Sequence, residues 1–534
     1  MPRRLTILGA VAIGLFGAGG GVLADPQPVD FTHNVFNAPA PVPDAVFGTD
    51  NSLKPGQQLC HTAYSSAANV NTDCNDGSVG PHNETSIAVN PQDHDNIIGG
   101  ANDYQLALNP GGHVSESVLS RAHVTFDGGH TWSMYPITFS STYQATGDPA
   151  IAFDGDGHAY YATLGFRFVG PANAQNPDVL VANSGDGGIT WSSVRVAAGS
   201  GNEGSVGDLL DKEYITAWGH GNALVTFGDF RLGRRGGYIA SRIYSVVTHD
   251  SGKTWSAPTL ISGTLHDAFV SVPAVTADGS AVYVSFMNTD DYATTGCANA
   301  GDCRDTYYVV KLNPSTGARI AGPTAVGLVY DGVGDYPIAL GRQTYQDSDF
   351  RSWSAGNITV DPTNAQHLAV VWSDLRNGLA TSSDPYSTTT DSDLIVSEST
   401  DGGVNWSTPT AITHPGDQFQ SWAAFDGSGT LRIGTFDRGV TGANHEYGYS
   451  LVTGGSFSVV STVNSDPTKD TRWFSGTTLN PDFPHPTSFI GDYSGIAVVP
   501  GTTQVVAYWT DLRNSVDFGG RSGSGEDAYF AWAS

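Results

Sequence analysis

The chain has 534 residues, with 52 acidic against 24 basic side chains and a formal net charge of −28. That balance excludes nucleic acid and anionic membranes as partners, because both are recognised through a basic footprint. With 66 glycines, 22 tyrosines and 11 tryptophans against 3 methionines, the composition is that of an all-β protein with many turns.

Pro2-Arg3-Arg4, an apolar run from Leu5 to Leu23 and the small-residue end before Asp25 read as an export signal over 1–24. The protein is therefore expected to be secreted, extracellular or periplasmic. Residues 25–75 read as a polar N-terminal extension, and 76–534 as a single folded unit. The four cysteines fall into two close pairs, Cys60 with Cys74 and Cys297 with Cys303. In an exported chain these are expected to be two local disulfides. The rival zinc site lacks any CxxC spacing.

From residue 84 onward one pattern recurs: strand, turn, strand, then a polar signature. The first copy runs from Glu84 to Tyr104, the second from Asp148 over the turn Asp154-Gly155-Asp156-Gly157 to Arg167. The third spans Asp211 to Arg231, the fourth Asp267 to Asp290 and the fifth Asn357 to Arg376. The sixth turns at Asp426-Gly427 and ends at Arg438; the seventh spans Gly491 to Arg513. Alternation inside each copy has period two. Seven such units predict an all-β fold: a single β-propeller of about seven four-stranded blades. The strand Asp527 to Trp532 is expected to close the ring with an N-terminal strand.

Four units carry a second element: Thr125 to Trp132, Ser184 to Trp191, Thr248 to Trp255 and Ser399 to Trp406. Each reads Ser/Thr-x-Asp-x-Gly-x-Thr/Asn-Trp. Asp and Gly suit a tight hairpin turn, and the Trp can pack the hairpin onto its neighbour. The element resembles the Asp box of the sialidase (BNR-repeat) superfamily. That resemblance implies a secreted carbohydrate-active propeller, an exo-glycosidase of the sialidase kind on acidic glycans. Sialidase catalytic domains have six blades, so six is the alternative count.

In a propeller the residues before each first strand and after each second strand share one channel mouth, and the boxes lie on the opposite face. The mouth collects Asn83, Glu84, Asp148, Asp211, Asp267, Arg351, Asp417 and Asp492 from the first set. The second set adds Asp103, Arg167, Asp229, Arg231, Asp290, Asp374, Arg376, Asp437, Arg438, Asp511 and Arg513. Asp–Arg pairs repeated in every blade suit blade locking; the same arginines could instead grip a carboxylate. By the resemblance, Asp492-Tyr493-Ser494-Gly495 matches the Tyr-Ser segment of the family, making Tyr493 the nucleophile candidate. Asp103 and Glu116 are then the acid/base candidates. Asn83, Glu84, Arg351, Arg376, Arg438 and Arg513 are the substrate-binding candidates, with Asn83 standing where the family has an arginine.

No cofactor is called for. Asp154-Gly155-Asp156-Gly157 and Asp347, Asp349, Asp391 and Asp393 are positions for structural calcium, against readings as a far-face turn and solvated acidic loops. His82 and His266 could reach the mouth. The expected partner is a glycan, met by a monomer. Two other functions remain open: a non-catalytic propeller binding glycan or protein, and a polysaccharide lyase.

Overall fold

The computed structural model describes residues 53–533, apart from 74–80, 109–113, 141, 168–174, 203–204, 235–236, 289–304, 331–344, 346–351, 353, 379–389, 441–445, 466–489 and 519–520. The export-signal segment, Cys74, Cys297, Cys303, Asp290, Asp347, Asp349 and Arg351 lie outside the described residues, as does the side chain of Glu116. Cys60 has no free thiol.

Seven antiparallel sheets, each built on four strands, form a seven-bladed β-propeller. The first strands touch one another in a closed circuit, so that of blade 7 (Gly495–Val498) meets that of blade 1 (His82–Val89). Blade 7 is completed by Asp527–Ala533, which pairs with the N-terminal strand Val70–Asn71 through Val70 opposite Phe530 and Asn71 opposite Tyr529. The expected closure is therefore present. The segment that reads as an extension also adds Cys60–His61 to the outer edge of blade 1, opposite Met134 and Ser133.

Strand register fixes which end of each blade is which. In blade 1, Val89 pairs with Ile97 and Ile97 with Thr125, the first residue of the Asp box. At the other end His82 pairs with Asp103. The boxes thus lie on the face opposite the channel mouth, and the Asp154–Gly157 turn shares their face, since Phe153 pairs with Ala159 and Ala159 with Ser184.

Each box has the same internal logic. In the first, Asp127 Oδ1 accepts the Thr131 backbone N–H at 2.8 Å, Asp127 Oδ2 accepts the Thr131 hydroxyl, and Gly128 and Gly129 sit at φ 67° and 94°. A side chain at Gly129 would run into Phe530 of blade 7. Trp132 is fully buried, its ring 5.1 Å from Phe530 and 6.2 Å from Tyr508. The box is a staple between blades, and its aspartate is consumed by the turn.

A feature that period-two reading misses recurs in the first strands. Glu84, Asp148, Lys212, Val270 and Gln420 all have φ between 49° and 59°. Each lies where the register with the second strand slips, between Asn83 and Ser86, Gly147 and Ala150, Asp211 and Tyr214, Phe269 and Val272, and Phe419 and Trp422. Such a bulge re-aims one side chain out of the alternation. A left-handed backbone at non-glycine residues, Val270 above all, is strained. Blades 1, 2 and 3 thereby bring their bulge residues together at one side of the channel.

Candidate functional site

The bulge residues meet at Lys212. Its ammonium lies 2.7 Å from Asp492 Oδ2, 3.0 Å from Asp148 Oδ2 and 3.1 Å from Glu84 Oε1, joining blades 3, 7, 2 and 1. All four side chains are at most 4% exposed. Three ammonium protons meet three carboxylates, so Lys212 has no donor left for a ligand.

The cluster is over-supplied with acid. Asp211 and Glu213 flank Lys212 and are buried with it. Burial, first of all, pushes the Glu84 carboxyl well above its usual range, and the Asp148 charge adds to it. Burial likewise lifts Asp148, to about 6. Burial raises Asp211 to about 7 and Glu213 well above the carboxylate range. Lys212 itself is held charged: burial works against the ammonium, but Asp148, Asp492 and Glu84 outweigh it and raise its pKa. Both carboxyl oxygens of Glu213, Asp148 Oδ1, Asp211 Oδ2 and the Tyr214 hydroxyl have no hydrogen-bond partner among the described residues. The site is rich in acceptors and poor in donors.

Asn102 anchors the pair by donating to Glu84 Oε2 at 2.8 Å while its carbonyl accepts the Asp148 N–H at 2.8 Å. Beneath the ions the channel is crossed by aromatic rings. Tyr214 stacks on Trp422 at 5.0 Å and meets Tyr493 edge-on at 5.3 Å. Below them lies a cavity of about 160 Å³, walled by Ile151, Val272, Ile358 and Ile496.

Of the residues singled out from sequence, Glu84, Asp148, Asp211, Asp492 and Tyr493 are brought together. Lys212 stands 5.7 Å over the Tyr493 ring. The Tyr493 hydroxyl donates to the Pro149 carbonyl at 3.1 Å, and burial, with Glu84 adding to it, raises its pKa well above that of a free phenol. Its observed partner is thus a carbonyl rather than a proton-accepting carboxylate. Asp103 stands apart: it pairs with Arg121 at 2.5 Å and lies 3.5 Å from His82 Nε2. Asn83 donates to Glu526 Oε2 at 2.9 Å. Glu116 lies in the strand Val114–Thr125, opposite Leu106.

The arginines have local work. Arg376 grips Asp374 with two nitrogens, at 2.8 and 2.7 Å, and donates to the Leu328 carbonyl of blade 4. Arg513 holds Asp511 the same way and reaches Ser461 of blade 6. Arg438 pairs with Asp417 at 3.0 Å. In blades 5 and 7 a tryptophan, Trp372 or Trp509, donates to the same aspartate at 2.9 Å. This repetition is blade locking.

Sequence reasoning missed Lys212, Glu213, Gln420 and Trp422 as site residues. Lys212 had a usable signal: it is one of five lysines in the chain and sits between two acids, with Leu209-Leu210 before them and Tyr214-Ile215 after. Among the described residues, no three His, Cys, Asp or Glu side chains are disposed to hold a metal ion.

No family model matches the chain, and no curated protein matches it. Among solved structures, it is similar to the NanB sialidase of Streptococcus pneumoniae at 8% identity, over 90% of this chain and 99% of that one, with a TM-score of 0.40. A Penicillium chrysogenum α-L-arabinanase matches at 11% identity over 87% and 98%, with a TM-score of 0.41. An ulvan lyase, a polysaccharide lyase, matches at 12% over 71% and 80%, with a TM-score of 0.41. Likenesses at this level add nothing to what the seven blades already establish about the fold.

Proposed function

We propose that the protein is a secreted, carbohydrate-directed propeller of the glycoside hydrolase kind, working at the channel mouth through the carboxyl groups around Lys212. One observation carries the reading. The seven-fold repeat breaks at this point: blades 1, 2 and 3 place Glu84, Asp148 and Lys212 at the bulge, where blades 4 and 6 place Val270 and Gln420. Blade locking has no need of that asymmetry, whereas chemistry does.

Glycosidic cleavage requires a carboxylic acid that is still protonated near neutral pH and a second carboxylate that is not. In this proposal Glu84 protonates the leaving glycosidic oxygen and ionised Asp148 takes the proton of the attacking water, with Lys212 fixing both. Tyr493 forms the floor beside them, its hydroxyl committed to Pro149. Because Arg376, Arg438 and Arg513 are engaged by aspartates, a neutral, hydroxyl-rich sugar suits this acceptor-lined site better than an anionic one. The acid-rich surroundings also favour a donor-bearing ligand over sialic acid.

A second reading, a non-catalytic glycan-binding propeller, is favoured by the burial of the whole cluster and by the saturation of Lys212. A glycan-release screen on the mature protein separates the two. Release of sugar by the wild type, lost in Glu84→Gln and retained in Tyr493→Phe, supports the hydrolase with carboxyl chemistry. Loss in Tyr493→Phe alone returns the nucleophile role to Tyr493. Glycan binding without release supports the second reading.

A further inference from the structure

The Asp boxes point to a site far from the channel. At every box the glycine three residues before the tryptophan, and the tryptophan itself, fill the seam with the preceding blade. A side chain at Gly188 would meet Ile98 and Val124 of blade 1, one at Gly252 would meet Asn183 and Tyr160 of blade 2, and one at Gly403 would meet Tyr283 of blade 4. Trp191 shows the socket: it shares one buried cluster with Ala122, Val124, Tyr135 and Ile137 of blade 1 and with Tyr161 and Ala182 of its own blade, its ring 5.9 Å from that of Tyr161.

Blade 6 has no box. Its third and fourth strands, Tyr447–Thr453 and Ser456–Ser465, are joined by Gly454-Gly455 alone. Neither glycine has any atom within 4 Å of where a side chain would start. The socket walls are nevertheless built. Ala122 pairs with Tyr135 as Val396 pairs with Thr410, and Tyr161 pairs with Ala182 as Ile433 pairs with Val452. By this strand register, the six residues around Trp191 correspond to Val396, Glu398, Thr410, Ile412, Ile433 and Val452. All six line one open groove of about 430 Å³ at the seam between blades 5 and 6. Blade 4 also lacks a box, but its longer turn over 313–318 lies on blade 3, with Ser245 donating to the Gly317 carbonyl at 2.8 Å.

One wall residue tells what the occupant carries. Glu398 stands where blade 1 has Val124; its side chain is 45% exposed, with Oε1 3.5 Å from His367 Nε2. No lysine or arginine lines the groove. A carboxylate on the rim of a largely apolar groove favours an aromatic ring that arrives with a positive charge. A tryptophan there would bury about 150–250 Å² of its own surface.

We propose that the seam between blades 5 and 6 is a vacant tryptophan socket that receives, from a partner protein, a tryptophan with a lysine or arginine beside it. This surface is separate from the channel and does not depend on the activity proposed above.

The probe is a cyclised peptide of Thr248 to Trp255, the box that carries Lys253, titrated into the full mature protein by isothermal titration calorimetry. Saturable binding is expected. It should fall at least tenfold when the Ser399 to Trp406 sequence replaces Gly454-Gly455 and fills the socket. Should that graft fail to melt cooperatively, Thr410→Trp blocks the same slot from its exposed edge. Glu398→Gln should weaken binding about threefold or more, and a Lys253→Ala peptide should lose that sensitivity. No binding at millimolar peptide, undiminished binding to the blocked variants, or equal binding of a Trp255→Ala peptide overturns the proposal. Sedimentation velocity supplies the remaining outcome. A wild-type dimer abolished by the graft would place a second copy in the socket and overturn the choice of a basic partner.

Discussion

Lys212 Nζ lies 2.7 Å from Asp492 Oδ2, so a lysine of blade 3 is tied across the channel to an aspartate of blade 7. The link forms because the bulge at Lys212, φ 52°, turns its side chain out of the strand's alternation. Two further carboxylates share the ammonium, and the whole group is out of water. Breaking one partner of such a cluster strands the others as buried charge. Lys212→Met should therefore destabilise the fold by about 3–5 kcal/mol, read from urea melts. Adding Glu84→Gln and Asp148→Asn should recover part of that loss; a further loss in the triple variant would show that the carboxyls are held by something else.

The acids predict a pH dependence. Asp148 and Asp211 keep their protons up to about 6 and about 7, against roughly 3.9 for an unfolded Asp. Between those values the folded chain binds more protons than the unfolded one, so stability falls as pH rises from about 4 to about 7. The urea midpoint should be higher at pH 5 than at pH 8, by on the order of 4 kcal/mol in stability, and Asp211→Asn should remove most of the difference. A rise in stability across this window would contradict the assignment. Asp250, held at about 2 by the Thr254 hydroxyl and N–H, works the other way below pH 4, where its turn bonds are lost on protonation.

Staples and site separate cleanly by mutation. Trp132 is fully buried against blade 7, so Trp132→Ala should cost about 3–5 kcal/mol. Its distance from the mouth predicts that whatever glycan release or binding the folded protein shows is unchanged below the new melting temperature. A selective loss of function without loss of stability would place a box at the site after all.

Tyr493→Phe removes one hydrogen bond to a backbone carbonyl and should cost about 1 kcal/mol. Denaturant melts check that figure, alongside the glycan-release assay in which the variant is expected to stay active.

The ring closure reaches further toward the N-terminus than residue 76. Thr72 Oγ1 lies 2.8 Å from both His123 Nδ1 and the Tyr508 hydroxyl, and Val70 and Asn71 pair with the last strand. A chain beginning at residue 76 loses these bonds and should be about 3 kcal/mol less stable, at roughly 1 kcal/mol per bond. An unchanged melting temperature would show that the strand contributes no net stability.

By itself the sequence determined the architecture. Asp127, Gly129 and Trp132 and their three counterparts are local chemistry: a turn, a positive φ and a ring, all within eight residues, legible wherever they occur. Period-two alternation and the polar signatures located seven units, and the Asp–Arg pairs such as Asp374 with Arg376 sit two residues apart. Only the tertiary structure decided the site. The sequence placed Glu84, Asp148 and Asp492, up to 408 residues apart, among many acids around one mouth, but nothing local says that these three and Lys212 share one point. They meet because a bulge in three successive first strands breaks the alternation on which sequence reading depends, and because the ring closes blade 7 onto blade 1. The empty socket at Glu398 was hidden for the same reason, since its walls come from two blades and its defining feature is a tryptophan that the sequence omits.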